Sequence, residues 1–225
     1  MKWTLLLRLA GPMQSWGTTS RFSIRDTGLE PSKSGVFGLL CAAMGIARQD
    51  DQTLGQLRER LAMGVRVDRE GLLRRDFHTA SNVAKASGGG SKDTELSERW
   101  YLADSSFLVG LESEDHDLLQ RLNEAITFPV WQLSLGRKSF VPAEPIRVSE
   151  TPLDGALRDV LQSYPWLNER DGEPPENLRL VLDSTMEAST EVRSDEPISF
   201  HFRRFTVRYV RTEFIPTPLR GDQCT

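Results

Sequence analysis

Apolar positions alternate from the first residues of the chain. Trp3, Leu5, Leu7 and Leu9 share one face and Thr4, Leu6 and Arg8 the other, a period of two that predicts a strand over 3–9. Leu6 makes the second face apolar as well, so this strand is expected at the centre of a sheet. Gly11-Pro12 ends it, and residues 12–31, which show no helical period, are expected as a long polar loop. The spacing then changes to i, i+3, i+4, i+7 through Val36, Phe37, Leu39, Leu40, Ala43, Met44, Ile46 and Ala47. That predicts a mostly buried helix capped by Ser32 or Ser34. A shorter helix fits Thr53 to Ala62, with Leu54, Leu57 and Leu61 on one side.

Val65 and Val67 alternate within a strand expected over Met63–Asp68, and a second strand is expected over Asp76–Val83. Between Lys85 and Glu98 apolar content collapses around Ser87-Gly88-Gly89-Gly90-Ser91-Lys92, the composition of a flexible loop. Strand character returns from Trp100 to Glu112, and His116–Ile126 is an amphipathic helix with Leu118, Leu119, Leu122 and Ile126 inward. Strand, helix, strand, strand, helix in that order resembles a split β-α-β, ferredoxin-like (RRM-like) half of an α+β protein. Residues 152–196 are expected to be rich in loops, with one short helix over Asp154–Gln162. Phe200–Ile215 reads as a long strand or hairpin arm, Phe205, Val207 and Tyr209 on one face and Arg204, Thr206 and Arg208 on the other.

The 225 residues are 38% hydrophobic and 27% charged, which suits a globular chain with a real core and neither a disordered tail nor a fibrous repeat. The longest apolar stretch, Val36–Ile46, falls short of the roughly 18–20 residues of a membrane span. Arg8 interrupts the apolar run of the N-terminus where a secretory signal would continue. Cys41 and Cys224 form no disulfide framework or zinc spacing, so a cytoplasmic protein without membrane contact is expected. The net charge of −4 hides a division: residues 169–196 hold nine acids and three bases, whereas residues 197–211 hold four arginines and no acid. Arginines outnumber lysines 23 to 5, and guanidinium groups make planar, bidentate contacts to phosphate. Local basic patches on an acidic chain fit a ligand held at one surface; a solvated surface with chance clustering is the bland alternative.

Most catalytic chemistries find no support. His78, His116 and His201 have no metal-type spacing, and no G-x-S-x-G elbow, P-loop or dinucleotide fingerprint is present, so neither a metal nor a cofactor is expected. Ser32-Lys33-Ser34-Gly35 is more informative, because a helix N-terminus with two hydroxyls, a cation and a close-approach glycine suits a phosphate. Arg21 and Arg25 stand just upstream, and Leu135-Gly136-Arg137-Lys138-Ser139 is a second basic loop. Gln14 and Trp16 follow the first strand, where an amide and an indole bind splayed RNA bases or simply pack on the core. A metal-independent ribonuclease would draw on His78 and Tyr101 with Lys33 or Lys138 as base, acid and electrostatic stabiliser. A single histidine at a strand end is also an ordinary structural residue.

Leu5 to Gly17 (LLLRLAGPMQSWG), Pro31 to Gly45 (PSKSGVFGLLCAAMG), Asp76-Phe77-His78-Thr79 and Leu135–Ser139 together resemble the CasD-like subunits of type I-E CRISPR surveillance complexes, in the RAMP superfamily. The similarity runs from residue 3 to about 148 and weakens beyond, except near Arg203–Tyr209. The resemblance implies a ferredoxin-like palm (1–75 and 103–148), an inserted β-rich thumb (76–102), and a loop-rich segment with a C-terminal β extension (149–225). It implies a non-catalytic subunit that holds the 5′ handle of the CRISPR RNA and caps a backbone of CasC-type subunits. Such a subunit abuts a CasA-type large subunit and meets target DNA only indirectly. Relatives in type I-C systems cleave the repeat, which keeps the ribonuclease alternative open. On this resemblance Ser32, Lys33, Ser34 and Gly35 cradle handle phosphates, Arg21 and Arg25 flank them, and Gln14 and Trp16 line the handle path. His78, in a matching motif, belongs to the RNA-binding surface, and Arg137 and Lys138 meet the handle or a neighbouring subunit. The acidic segment 169–196 is expected to face solvent or a protein, since phosphate would repel it.

Overall fold

Leu5, Leu6, Leu7 and Leu9 are all fully buried, which requires packed layers on both faces of their strand. The computed structural model describes residues 1–19, 23–85, 88–168 and 172–219. Strand β1 (Trp3–Ala10) lies between β7 (Ser106–Ser113) and the two-residue β8 (Leu153–Asp154). On the far side of β7 follow β4 (Ala62–Arg69), β9 (Asn177–Asp183), β11 (Arg204–Pro216) and β10 (Glu191–Ser199). This seven-stranded sheet runs β10-β11-β9-β4-β7-β1-β8 and is antiparallel throughout.

One face takes Leu5, Leu7, Leu9, Val65 and Val109 beneath α1 (Lys33–Met44) and α3 (His116–Thr127). The other takes Leu6 and Leu108 beneath α4 (Leu157–Ser163), with Trp166, Leu178, Leu180 and Leu182. Helix α4 comes close because Gly64 and Gly110 lie under it; a Cβ on Gly110 would stand 2.6 Å from Leu157 Cδ1. Among the helices, α1 is capped by Ser32, whose hydroxyl accepts from Gly35 N at 3.3 Å, α2 (Asp51–Arg60) by Asp50 and α3 by Asp115.

A second, smaller sheet projects from the first. Strands β5 (Leu72–Ala84) and β6 (Ser91–Ala103) pair as a long hairpin, and β2 (Met13–Gln14) and β3 (Ile24–Arg25) pair on the other side of β6. The loop expected over 12–31 therefore carries two short strands. The flexible stretch expected over 85–98 is mostly strand β6, since polar residues suffice where both faces of a hairpin meet water. Residues 152–196 also depart from expectation. β9 and most of β10 lie there, with the alternating Leu178, Leu180 and Leu182 buried.

Candidate nucleic-acid interface

Helix α1 starts beside Trp16, whose ring packs against Gly35; a Cβ there would come within 2.7 Å of Cε3. The loop around Gly136 crosses the one around Ser15 so closely that a Cβ on Gly136, at φ 93°, would stand 1.8 Å from Ser15 O. Ser15 N–H also donates to Leu135 O at 3.1 Å. These two close approaches bring three distant parts of the sequence around one open groove of about 390 Å³. Its walls carry Trp16, Arg25, Ser32, Ser34, Gly35 and Arg137, all expected at a binding surface, together with Arg99, Phe200 and Phe205.

Arg99 and Arg137 set the electrostatics. Arg137 donates from Nη2 to Trp100 O at 2.7 Å and lies over the Phe140 ring, and Arg99 donates from Nε to Ser97 Oγ. Neither forms an ion pair among the described residues. Burial pulls the pKa of Arg137 below its usual value, the charge of Arg99 adds to that, and Asp76 opposes it. Two guanidinium groups that disfavour each other are relieved by an anion between them. Asp26, also in the wall, is bound up in its own loop, accepting from the N–H groups of Thr18 and Thr19 and from Thr19 Oγ1.

Several expected residues are committed elsewhere. Lys33 is 5% exposed, and its ammonium lies 2.9 Å from Asp183 and 2.8 Å from Glu196. Its backbone N–H donates to Asp195 Oδ2 at 2.8 Å, so a carboxylate from β10 already sits at the positive end of α1. Arg208 closes the cluster on Asp183 and Asp195, both at 2.6 Å. The acidic segment thus does not turn away from the helix entrance as expected; its carboxylates hold it. A second knot lies nearby, with Glu30 accepting from Arg179 and Arg193.

Gln14 is buried, donating to Leu9 O and Ser105 O and accepting from Trp16 Nε1, so it braces the wall instead of lining the path. Trp16, 1% exposed, does the same. Lys138 and His78 are exposed but outside the groove, and Arg21 lies outside the described residues. His78 pairs with Ser97 and Tyr101 with Arg74, four rows apart along the hairpin, or about 13 Å. With Lys33 buried, the groups expected of a ribonuclease do not converge.

Sequence reasoning missed Arg99, Phe200 and Phe205. Arg99 stood at the margin of a presumed flexible loop, and only the run of aromatic and basic residues at 200–209 hinted at the two phenylalanines.

Comparisons with known proteins extend this picture. Residues 4–213 match the family model described as CRISPR-associated protein (Cas_Cas5). The chain is 37% identical over 222 residues to the CRISPR system Cascade subunit CasD of Escherichia coli (strain K12), covering 92% of this chain and 88% of that one. Its fold superposes on a solved Cas protein with TM-score 0.74 and 39% identity, covering 96% and 98% of the two chains. It also superposes on a component of a CRISPR RNA-guided surveillance complex with TM-score 0.79 and 32% identity, covering 98% and 95%.

Proposed function

Because the chain belongs to the CRISPR-associated Cas5 family, we propose that it is the subunit of a type I-E, Cascade-like surveillance complex that holds the 5′ handle of the CRISPR RNA without cutting it. The observation that carries this reading is the groove itself: Arg25, Arg99 and Arg137 face the first turn of α1, where Ser32 and Ser34 present hydroxyls. Arginine pairs bind phosphate, with the serine hydroxyls beside them, and Phe205, 43% exposed, offers a ring to an unpaired base. The groove of about 390 Å³ suits one nucleotide at a time, as a single strand threaded through it would supply.

A palm of ferredoxin-like topology fits the order β8-β1-β7-β4, the arrangement of the fourth, first, third and second strands of a β-α-β-β-α-β unit. The hairpin β5–β6 is then the thumb, and β9–β11 are the C-terminal extension, continuous with the palm sheet. Partners on this reading are CasC-type backbone subunits and a CasA-type large subunit, with target DNA met only through the assembly. Among the described residues no helix is long and apolar enough to cross a membrane, which suits a cytoplasmic ribonucleoprotein.

The test is direct binding of labelled handle RNA to the purified chain. Arg99→Ala with Arg137→Ala is expected to lower affinity at least tenfold while the RNA stays full-length with or without divalent metal. Unchanged affinity would remove the groove from the account, and specific cleavage abolished by His78→Ala would restore the ribonuclease.

A further inference from the structure

Away from the groove lies a surface of different character. From Ala125 to Gly136 the chain carries no charged residue. Within that stretch Phe128 is 83% exposed, Val130 64% and Trp131 48%. The segment is fastened down: Val130 N–H donates to Ala43 O at 2.9 Å and Trp131 N–H to Ala42 O at 3.1 Å. It thereby satisfies carbonyls that the C-terminal end of α1 would otherwise leave open. Phe128 N–H closes α3 on Glu124 O at 3.0 Å, and Leu133 and Leu135 anchor the far end in the core.

We propose that Phe128, Val130 and Trp131 form a docking surface for another protein chain, one that presents an uncharged apolar face. Charge selects that occupant, because no residue of this stretch is a cation for a nucleic acid backbone, and the Arg147 guanidinium that reaches it donates to Thr127 Oγ1 at 3.4 Å. Area narrows it further. The three side chains expose together roughly 400 Å², large enough to be functional on a monomer. A standard interface buries about 800 Å² per partner, so pairing of two copies through this patch alone would be no larger than a crystal contact. A different chain, covering the patch at the centre of a wider footprint, fits both facts. Aromatic side chains held rigidly at such a centre carry most of the affinity and lose little freedom on binding.

Helix α1 separates the two surfaces. The groove lies at its first turn and the patch at its last, 12 residues or about 18 Å apart. One chain can therefore hold RNA at one end of α1 and a protein at the other. The proposal rests on the chain working within a surveillance complex, and its test keeps the two apart.

The tagged chain is co-expressed with the other subunits of the complex and a guide RNA, and incorporation is measured after purification. Phe128→Ser with Trp131→Ser, and separately Val130→Lys, are expected to lower incorporation at least tenfold. Handle affinity of the isolated chain should stay within twofold and its melting temperature should not move. Full incorporation of both variants overturns the proposal. A dimer of the purified wild-type chain that the substitutions dissolve overturns it too, since the occupant is then a second copy. Parallel loss of handle affinity does the same, because patch and groove would be one surface. Arg137→Ala, measured alongside, reports on the groove alone.

Discussion

Lys33 is expected to cradle handle phosphate and Arg137 to meet the handle or a neighbouring subunit, and their surroundings give them different work. Lys33 lies between Asp183 and Glu196, and removing one member of a buried ion pair strands the rest in a medium that solvates them poorly. Lys33→Met is expected to cost about 3 kcal/mol, read as a lower urea midpoint, with handle affinity of the folded protein nearly unchanged. Arg137→Ala should behave the other way, sparing stability and losing RNA. A pattern of residue types could not separate the two, because both stand beside glycine and serine in basic loops; only the return of β9 and β10 decides which cation is neutralised. Cys41 gives a pH test at the same scale. Burial, with Asp50 adding to it, pushes its thiol from 9.0 up to about 11. In the unfolded chain the thiol ionises first, so stability is complete below pH 9 and falls as pH rises towards 11, by up to about 3 kcal/mol. In a Cys224→Ser background, alkylation by iodoacetamide at pH 8 should be negligible until denaturant is added.

Elements with a strong period were legible along the chain. β1, α1 and α3 stand where their leucines put them, since a buried face imposes its spacing on sequence. β6 and β9 were harder for opposite reasons: β6 has little apolar content because its hairpin faces water, and the three leucines of β9 sit in an acid-rich stretch of which Asp183, Glu191, Asp195 and Glu196 belong to salt bridges. The fit of α4 on the sheet was illegible altogether, being written in two missing side chains. Gly110→Val should force Leu157 and Leu161 away and cost about 1–3 kcal/mol, seen as a lower melting temperature. The hairpin shows the converse tolerance. Arg75 lies over Phe77 at 5.0 Å and over Trp100 at 5.6 Å, well below the glycine tip. Excising residues 85–90 and joining Ala84 to Ser91 by a two-residue Asn-Gly turn should therefore leave the melting temperature within about 2 °C.

For the whole molecule, a net charge of −4 says little, because acids such as Glu30, Asp183, Asp195 and Glu196 are paired internally. What a transcript would meet is the local field of Arg25, Arg99 and Arg137. Three phosphate contacts to a single strand give a logarithmic salt slope of about −2, so handle affinity should weaken about 20-fold between 50 mM and 200 mM salt. A markedly flatter slope would mean that the arginines are not phosphate contacts. The carboxylates that steady the start of α1 come from Asp183, Asp195 and Glu196, and their counter-cation Arg208 from β11, almost at the end of the chain. On the ribosome, then, the N-terminal half emerges with the start of α1 still unbraced. Only a polypeptide translated past β11 can complete that brace, so a product that stops short lacks the Arg208 cation that closes the carboxylate cluster.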